Sequence, residues 1–397
     1  MSDIVILGGG FAGMWAALVA RRRAVDEDRD FSITLVSKDD HLTLRPRLYE
    51  ANPERFCIPL KPILEPLDIN FVKAVATDID TNSRYVSLDK AVQGVKYKRL
   101  ILATGSVLAP LPIEGVDLAF DVDNLDNALK FERNLKETIS KLKDPVVAII
   151  GAGFTGIEIA MEMRSRIEVL SDLASAARVI LLDRADVVGP ELGENPRPEI
   201  EAALKSANIE TRLGVNIRQI DTTGLIFENG EHLDADIIVI SSGAASNPLT
   251  KKIEVPRDDF GRLFVDKDLR VKGMNDVFAA GDAAHALVDD SGHVAMMSCQ
   301  HALTMGRFAG HNAAGDMMGL ETVPYRQERY VTCLDLGSAG AVFTSGWDRV
   351  VENIGDEAKK RKRNINGNII YPPTGGREQI LAAATLIPSH HNTPVSE

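Results

Sequence analysis

The sequence predicts an α/β fold in which two parallel-sheet units, one inserted within the other, precede a smaller C-terminal α+β unit. Three observations carry this expectation. Asp3-Ile4-Val5-Ile6-Leu7, a buried-type strand, runs straight into Gly8-Gly9-Gly10-Phe11-Ala12-Gly13. Pro145-Val146-Val147-Ala148-Ile149-Ile150 runs in the same way into Gly151-Ala152-Gly153-Phe154-Thr155-Gly156. Far downstream, Asp276-Val277-Phe278-Ala279-Ala280 ends at Gly281-Asp282 with no sheet of its own nearby, so it is expected to rejoin the first unit.

Both turns read G-x-G-x-x-G. The first glycine makes the tight turn and the second lets backbone approach a pyrophosphate. The third lets helix pack on strand, and the helix N-terminus offers N–H donors to the anion. One such turn is weak evidence. Two, each between strand and helix, describe two Rossmann-like units able to hold two dinucleotides at once, an arrangement suited to passing electrons between them.

The elements follow in order. Residues 12–23 have helical spacing and end in Arg21-Arg22-Arg23, cations suited to a helix C-terminus. Residues 31–36 are a β-branched run, and 99–105 a buried strand ending in glycine. The second unit starts at Val146, continues through a helix over 157–169, returns in a strand over 178–183, and closes with 235–240 before Ser241-Ser242-Gly243. Residue 276 begins a strand that turns into a helix starting with an acid. From about residue 322 the segments become shorter and mixed. The basic run Lys359-Lys360-Arg361-Lys362-Arg363 and the polar tail after Pro388 are expected to face solvent.

Composition narrows the function classes. A net charge of −12 argues against a nucleic-acid binder, which needs a basic face. No stretch approaches the roughly 20 apolar residues of a membrane span, and no signal peptide precedes the first strand. Three scattered cysteines, Cys57, Cys299 and Cys333, with no C-x-x-C, build no disulfide framework. The expectation is a soluble cytoplasmic protein with no metal site.

With GGGFAG at 8, HLTLRPRLY at 41–49, ATG at 103, GAGFTGIE at 151, AAGDAA at 279 and Cys299-Gln300-His301-Ala302 in this order, the chain resembles the two-dinucleotide-binding-domain flavoproteins. Within them it is most similar to type II NADH dehydrogenases and their sulfide:quinone reductase relatives. The resemblance implies an FAD-binding domain over 1–115 and 255–321, an NAD(P)H-binding domain over 116–254, and a C-terminal acceptor-side domain over 322–397.

By that resemblance Gly8, Gly10, Phe11, Ala12 and Gly13 would hold the FAD pyrophosphate, and Ala76 would meet the adenine through its backbone. Pro46 and Thr104 would border the flavin, with Arg45, Ala103 and Gly105 beside them. Gly281 and Asp282 would serve the ribityl side, where a carboxylate is otherwise explained as a helix cap. Cys299 and Gln300 start a helix aimed at the flavin's pyrimidine edge, which would stabilise the anionic reduced ring. Gly151, Gly153, Phe154, Thr155, Gly156 and Gly243 would line the nicotinamide nucleotide, and Asp183 would bond its ribose. Glu158 would sit near the nicotinamide or flavin edge as a catalytic residue, although a Glu in a helix's first turn also simply complements the dipole.

Two departures stand out. Where the first unit should end its second strand in an acid, it has Ser37 and then Lys38; serine can bond a ribose hydroxyl and lysine a phosphate. Quinone-reducing relatives carry a second glutamine four residues after the first, and here that place is Thr304. Sulfide-oxidising relatives need a cysteine pair, of which only Cys333 has a counterpart, so a buried, inert Cys333 is preferred.

The resulting expectation is an FAD-dependent NADH dehydrogenase, with NADPH also open as donor, in which Glu158 and Gln300 act catalytically. The acceptor is a quinone or a similar molecule, and a quinone's pocket would be lined by 296–305 and 330–337. The rival readings are a soluble reductase for a small ferredoxin- or rubredoxin-like protein, and a flavin redox sensor. A homodimer is the expected assembly. The basic run and the short apolar piece Ile380–Ile387 leave weak contact with the inner face of a membrane open.

Overall fold

The computed structural model describes residues 2–89, 93–170, 177–241 and 243–387. Ser242 and the tail from Pro388 lie outside them.

The first sheet sets four strands parallel to Ser2–Leu7: Ile33–Ser37 and Asn70–Lys73 on one side, Val95–Leu102 and Val277–Ala279 on the other. Val277–Ala279 therefore does rejoin the first unit from across the chain. These strands read as nearly continuous apolar runs because both faces are covered, and Ile4, Ile6, Leu35 and Phe278 are fully buried. Register then fixes which residues share the sheet's edge. Leu7 pairs with Val36 and with Leu102, and Leu102 with Ala279, so Gly8, Ser37, Ala103 and Ala280 emerge level along it. Ligands bind along this carboxyl edge in such sheets.

The second sheet, ordered Phe120–Asp121, Ile237–Ile240, Val146–Ile150, Arg178–Leu182 and Ile209–Arg212, repeats the arrangement. Ile150 pairs with Leu182 and Ile240, which sets Gly151, Asp183 and Ser241 flush. The two chain crossings between the bodies lie side by side as an antiparallel ribbon, Ser106–Leu108 against Ala244–Ser246.

Helix Phe11–Asp26 follows the first turn and helix Phe154–Leu170 the second, the latter starting three residues earlier than its spacing predicts. Glu158 is thus in the second turn of its helix, too far from the end for simple dipole compensation. Helix Cys299–Met317, capped by Ser298, packs on Phe11–Asp26 backbone to backbone. A Cβ added at Gly306 or Gly310 would lie 2.2 or 2.1 Å from the carbonyl oxygen of Ala12 or Ala16, so only glycine permits this approach. The expected helix after Asp276–Ala280 is only a three-residue 3-10 turn, Gly281–Ala283, followed by a short strand. Asp282 consequently caps no long helix.

The C-terminal unit is a three-stranded antiparallel sheet, Val331–Asp335, Ala341–Ser345 and Val350–Ile354, backed by helix Gly355–Asn364. Helix Arg377–Ala383 then returns to the first body. There Ile380 and Ala384 are fully buried, and Arg22 and Arg307 donate to the carbonyls of Leu381 and Ala383 at 3.0 Å each. Much of the apolar piece Ile380–Ile387 is therefore spent on the protein's own core. Among the described residues no helix is long and apolar enough to cross a membrane.

Candidate functional site

The first turn is closed by contact and open by design at one point. A Cβ at Gly8, whose φ is +110°, would meet Ala103 O at 2.2 Å, and one at Gly13 would meet Gly8 O at 1.8 Å. At Gly10 nothing lies within 4 Å, and its φ of −76° suits any residue. Nothing inside the chain requires glycine there. A side chain would only fill the exposed cradle above the start of helix Phe11–Asp26, whose first residues Phe11 and Ala12 are buried.

Around this cradle the expected residues gather. The Ser37 hydroxyl lies against Gly9. Lys38 is exposed, its ammonium 3.7 Å from Asp39. Ala76 starts the strand Ala76–Asp80 just beyond Ala74, whose N–H donates to Ser37 O at 2.9 Å. Thr104 has a buried hydroxyl with no hydrogen-bond partner among the described residues. Gly281, with φ of +64°, presses on Ala12 and Ala302. Asp282 Oδ2 accepts the Ser106 hydroxyl at 2.6 Å; burial raises the pKa of this carboxyl, against the Ser106 bond and the Arg45 charge. Arg45, from the 3-10 turn with Pro46, pairs with Asp123 and donates to Ser106 O and Oγ at 3.2 Å each. An open phosphate cradle, an orphaned hydroxyl and a restrained carboxylate along one sheet edge fit an FAD-type cofactor.

The second turn has the same close contacts, a Cβ at Gly156 meeting Gly151 O at 1.7 Å. Asp183 stands at the end of its strand, accepting the N–H of Ala152 at 2.6 Å and of Ala185 at 2.8 Å. These two bonds hold the carboxylate beside the turn. Thr155 is exposed, and Phe154 carries the Lys362 ammonium 5.4 Å above its ring. Gly243, with φ of +89°, leads into the crossing ribbon.

Glu158 is the best-defined charged group. It is buried, accepts the Asp335 N–H at 2.9 Å and pairs with Lys362 Nζ at 2.7 Å. Burial pushes its pKa up to about 7, against the lowering effect of Lys362. Burial would lower Lys362, and the Glu158 charge holds it above the usual value instead. Lys362 also donates to Cys333 O at 3.0 Å, and Lys359 pairs with Asp335. The expectation that 359–363 faces solvent is therefore corrected: Lys360 and Arg363 do, while Lys362 is 5% exposed. The missed signal was helical spacing, since Lys362 follows fully buried Ala358 by four residues on one helix face. A charged cavity of about 330 Å³, lined by Arg47, Tyr49, Glu162, Asp335, Lys359 and Lys362, opens beside the pair.

At the start of helix Cys299–Met317, the Gln300 side-chain nitrogen is buried without a partner among the described residues. Burial pushes the Cys299 thiol up to about 11. His301, fully buried, stacks on Tyr330 at 5.4 Å, which brings the segments 296–305 and 330–337 together. Met305, however, belongs to the core and Met296 is exposed, so the methionines do not form one wall. A cavity of about 160 Å³ lies one turn further along the helix, against Thr304, Phe308, Gln327, Leu386 and Ile387. The Cys333 thiol is buried, donates to Ala358 O at 3.6 Å and is pushed up to about 12, which makes it a poor nucleophile. Among the described residues no three His, Cys, Asp or Glu side chains gather to hold a metal.

The geometry agrees with the comparisons to known proteins. Residues 2–306 match the family model described as pyridine nucleotide-disulphide oxidoreductase. An NADH dehydrogenase-like protein of Mycobacterium tuberculosis is 40% identical over 395 residues, spanning 97% of this chain and 98% of that protein. A demethylphylloquinone reductase of Synechocystis is 26% identical over 355 residues, 86% of each chain. The solved sulfide:quinone oxidoreductase of Aquifex aeolicus shares the fold with a TM-score of 0.77, at 18% identity over 98% of this chain and 94% of that one. Two nucleotide-type turns on two parallel sheets, and a family match over most of the chain, lead to one conclusion. The chain belongs to the pyridine nucleotide-disulphide oxidoreductase family and is an oxidoreductase enzyme.

Proposed function

We propose that this protein is an FAD-dependent NADH:quinone oxidoreductase, with FAD at the first turn and NADH at the second. The first turn with Thr104 and Asp282 would hold the flavin, which would supply two-electron chemistry between NADH and the acceptor. The observation that carries the reading is the open face at Gly10 beside the orphaned Thr104 hydroxyl and Asp282, a cradle shaped for a cofactor the chain itself does not fill. Asp183 selects NADH by bonding the ribose hydroxyls and repelling a 2′-phosphate. Glu158, kept near neutrality in its pKa by burial, holds or releases a proton beside the second turn, with Lys362 and the Asp335 N–H fixing its position.

A quinone carbonyl needs a donor in an otherwise apolar site. The unpaired Gln300 amide supplies one, and Phe308, Leu386 and Ile387 supply the apolar part of a nearby cavity that Arg326, Glu328 and Arg329 also line. Quinone-linked names among the relatives support this acceptor over a small redox protein. So does the charge of −12, which would repel an acidic carrier.

Replacing Gln300 by Leu tests the acceptor. Stopped-flow half-reactions should show flavin reoxidation by a short-chain quinone slowed at least tenfold, with flavin reduction by NADH nearly unchanged. Equal slowing of both would make Gln300 a structural support. No change in either, together with rapid turnover of a ferredoxin-like carrier, would move the acceptor to a protein.

A further inference from the structure

The two glycine turns differ in a way their shared pattern hides. At Gly10 the place where a side chain would begin is empty. At its counterpart Gly153 that place is filled, and a Cβ would sit 2.5 Å from Glu191 Oε1. The same oxygen accepts the N–H of Phe154, the first residue of helix Phe154–Leu170, at 2.7 Å. A carboxylate of the chain already occupies the anion seat at this helix end, where backbone donors and the helix dipole favour negative charge.

Glu191 comes from the 3-10 turn Pro190–Leu192. Gly189 and Gly193 bracket it with positive φ, +57° and +78°. The turn is anchored by Leu192, which is buried, and by Gly189 N–H donating to Ala152 O at 2.9 Å. Glu191 itself is exposed, so its side chain can swing off Phe154 without disturbing the core.

We infer that Glu191 is an internal stand-in for the pyrophosphate of NADH, displaced each time a dinucleotide binds, and that it weakens nucleotide binding by occupying the seat. The inference rests on the proposed placement of NADH at the second turn. Two anions cannot share one helix end, so the nucleotide gains only the difference between its own interaction and that of Glu191. A resident cofactor site is served by an open cradle, as at Gly10. A site whose product must leave on every cycle is served by a competitor that closes behind it.

The test is calorimetric titration of the flavin-loaded protein with NAD⁺, with ADP-ribose, and with nicotinamide riboside, which lacks phosphate. In Glu191→Ala the Kd for NAD⁺ and ADP-ribose should fall by about two- to five-fold, the range an exposed charge at a helix end is worth. Glu191→Gln should shift it the same way by less, since the amide still accepts from Phe154 but repels no phosphate. Nicotinamide riboside should bind unchanged. Unchanged or weaker ADP-ribose binding in both variants overturns the inference. Gly153→Val separates that failure from failure of the placement, because a side chain there should abolish ADP-ribose binding. If Gly153→Val binds ADP-ribose like the wild type, the nucleotide does not use this turn.

Discussion

Replacing Lys362 by Met would leave Glu158 buried without its cation, and the cost should depend on pH in a defined direction. The two groups stand 2.7 Å apart with side chains 7% and 4% exposed. At an effective dielectric near 20 their attraction is about 6 kcal/mol, set against several kcal/mol of desolvation for each ion. Removing one partner of such a pair typically costs about 3–5 kcal/mol. Glu158 has a folded pKa raised to about 7 from 4.5. A raised carboxyl contributes stability that is fully present below its unfolded pKa and is lost as pH climbs through the folded one. Without Lys362 the folded pKa rises further, so the loss extends to higher pH. Urea unfolding followed by fluorescence should therefore show Lys362→Met within about 1 kcal/mol of wild type at pH 5 and about 3–5 kcal/mol below it at pH 9. Adding Glu158→Gln should restore most of the deficit at pH 9, because no buried charge remains. A penalty equal at both pH values, or two penalties that simply add, would refute the coupling.

Two further substitutions test the cofactor sites, and a third the helix contact beneath them. Gly10→Ala, entering open space, should leave the apoprotein's unfolding midpoint unchanged while weakening flavin retention measured by absorbance. Gly306→Ala, whose methyl would lie 2.2 Å from Ala12 O, should cost the apoprotein about 1–3 kcal/mol of stability by overpacking, read from urea unfolding. Asp183→Ala should narrow a wild-type preference for NADH over NADPH, compared as kcat/KM; a wild type that favours NADPH would show that Asp183 does not meet the ribose.

The return of Val277–Ala279 to the first sheet follows from its having no sheet of its own nearby. Legible in the sequence alone were the two glycine turns and the strands that feed them. These rest on local rules: glycine where backbone must approach backbone, apolar runs where a parallel sheet is covered on both faces. It also exposed Asp183, because strand ends in this fold are fixed by register. What it could not decide was the fate of charges in runs and loops. Lys359-Lys360-Arg361-Lys362-Arg363 reads as a solvated helix face, yet the docking of helix Gly355–Asn364 buries Lys362 against Glu158, 204 positions away. The acid after Gly281 reads as the first residue of a helix, yet the chain makes only a 3-10 turn there, and Asp282 accepts from Ser106 on the crossing ribbon. Glu191 carries no motif, and only the folding of its turn onto Phe154 brings its carboxylate to the start of the second turn's helix. Contacts of this kind join elements distant in sequence, and their energies come from burial and charge pairing that exist only once the bodies have packed.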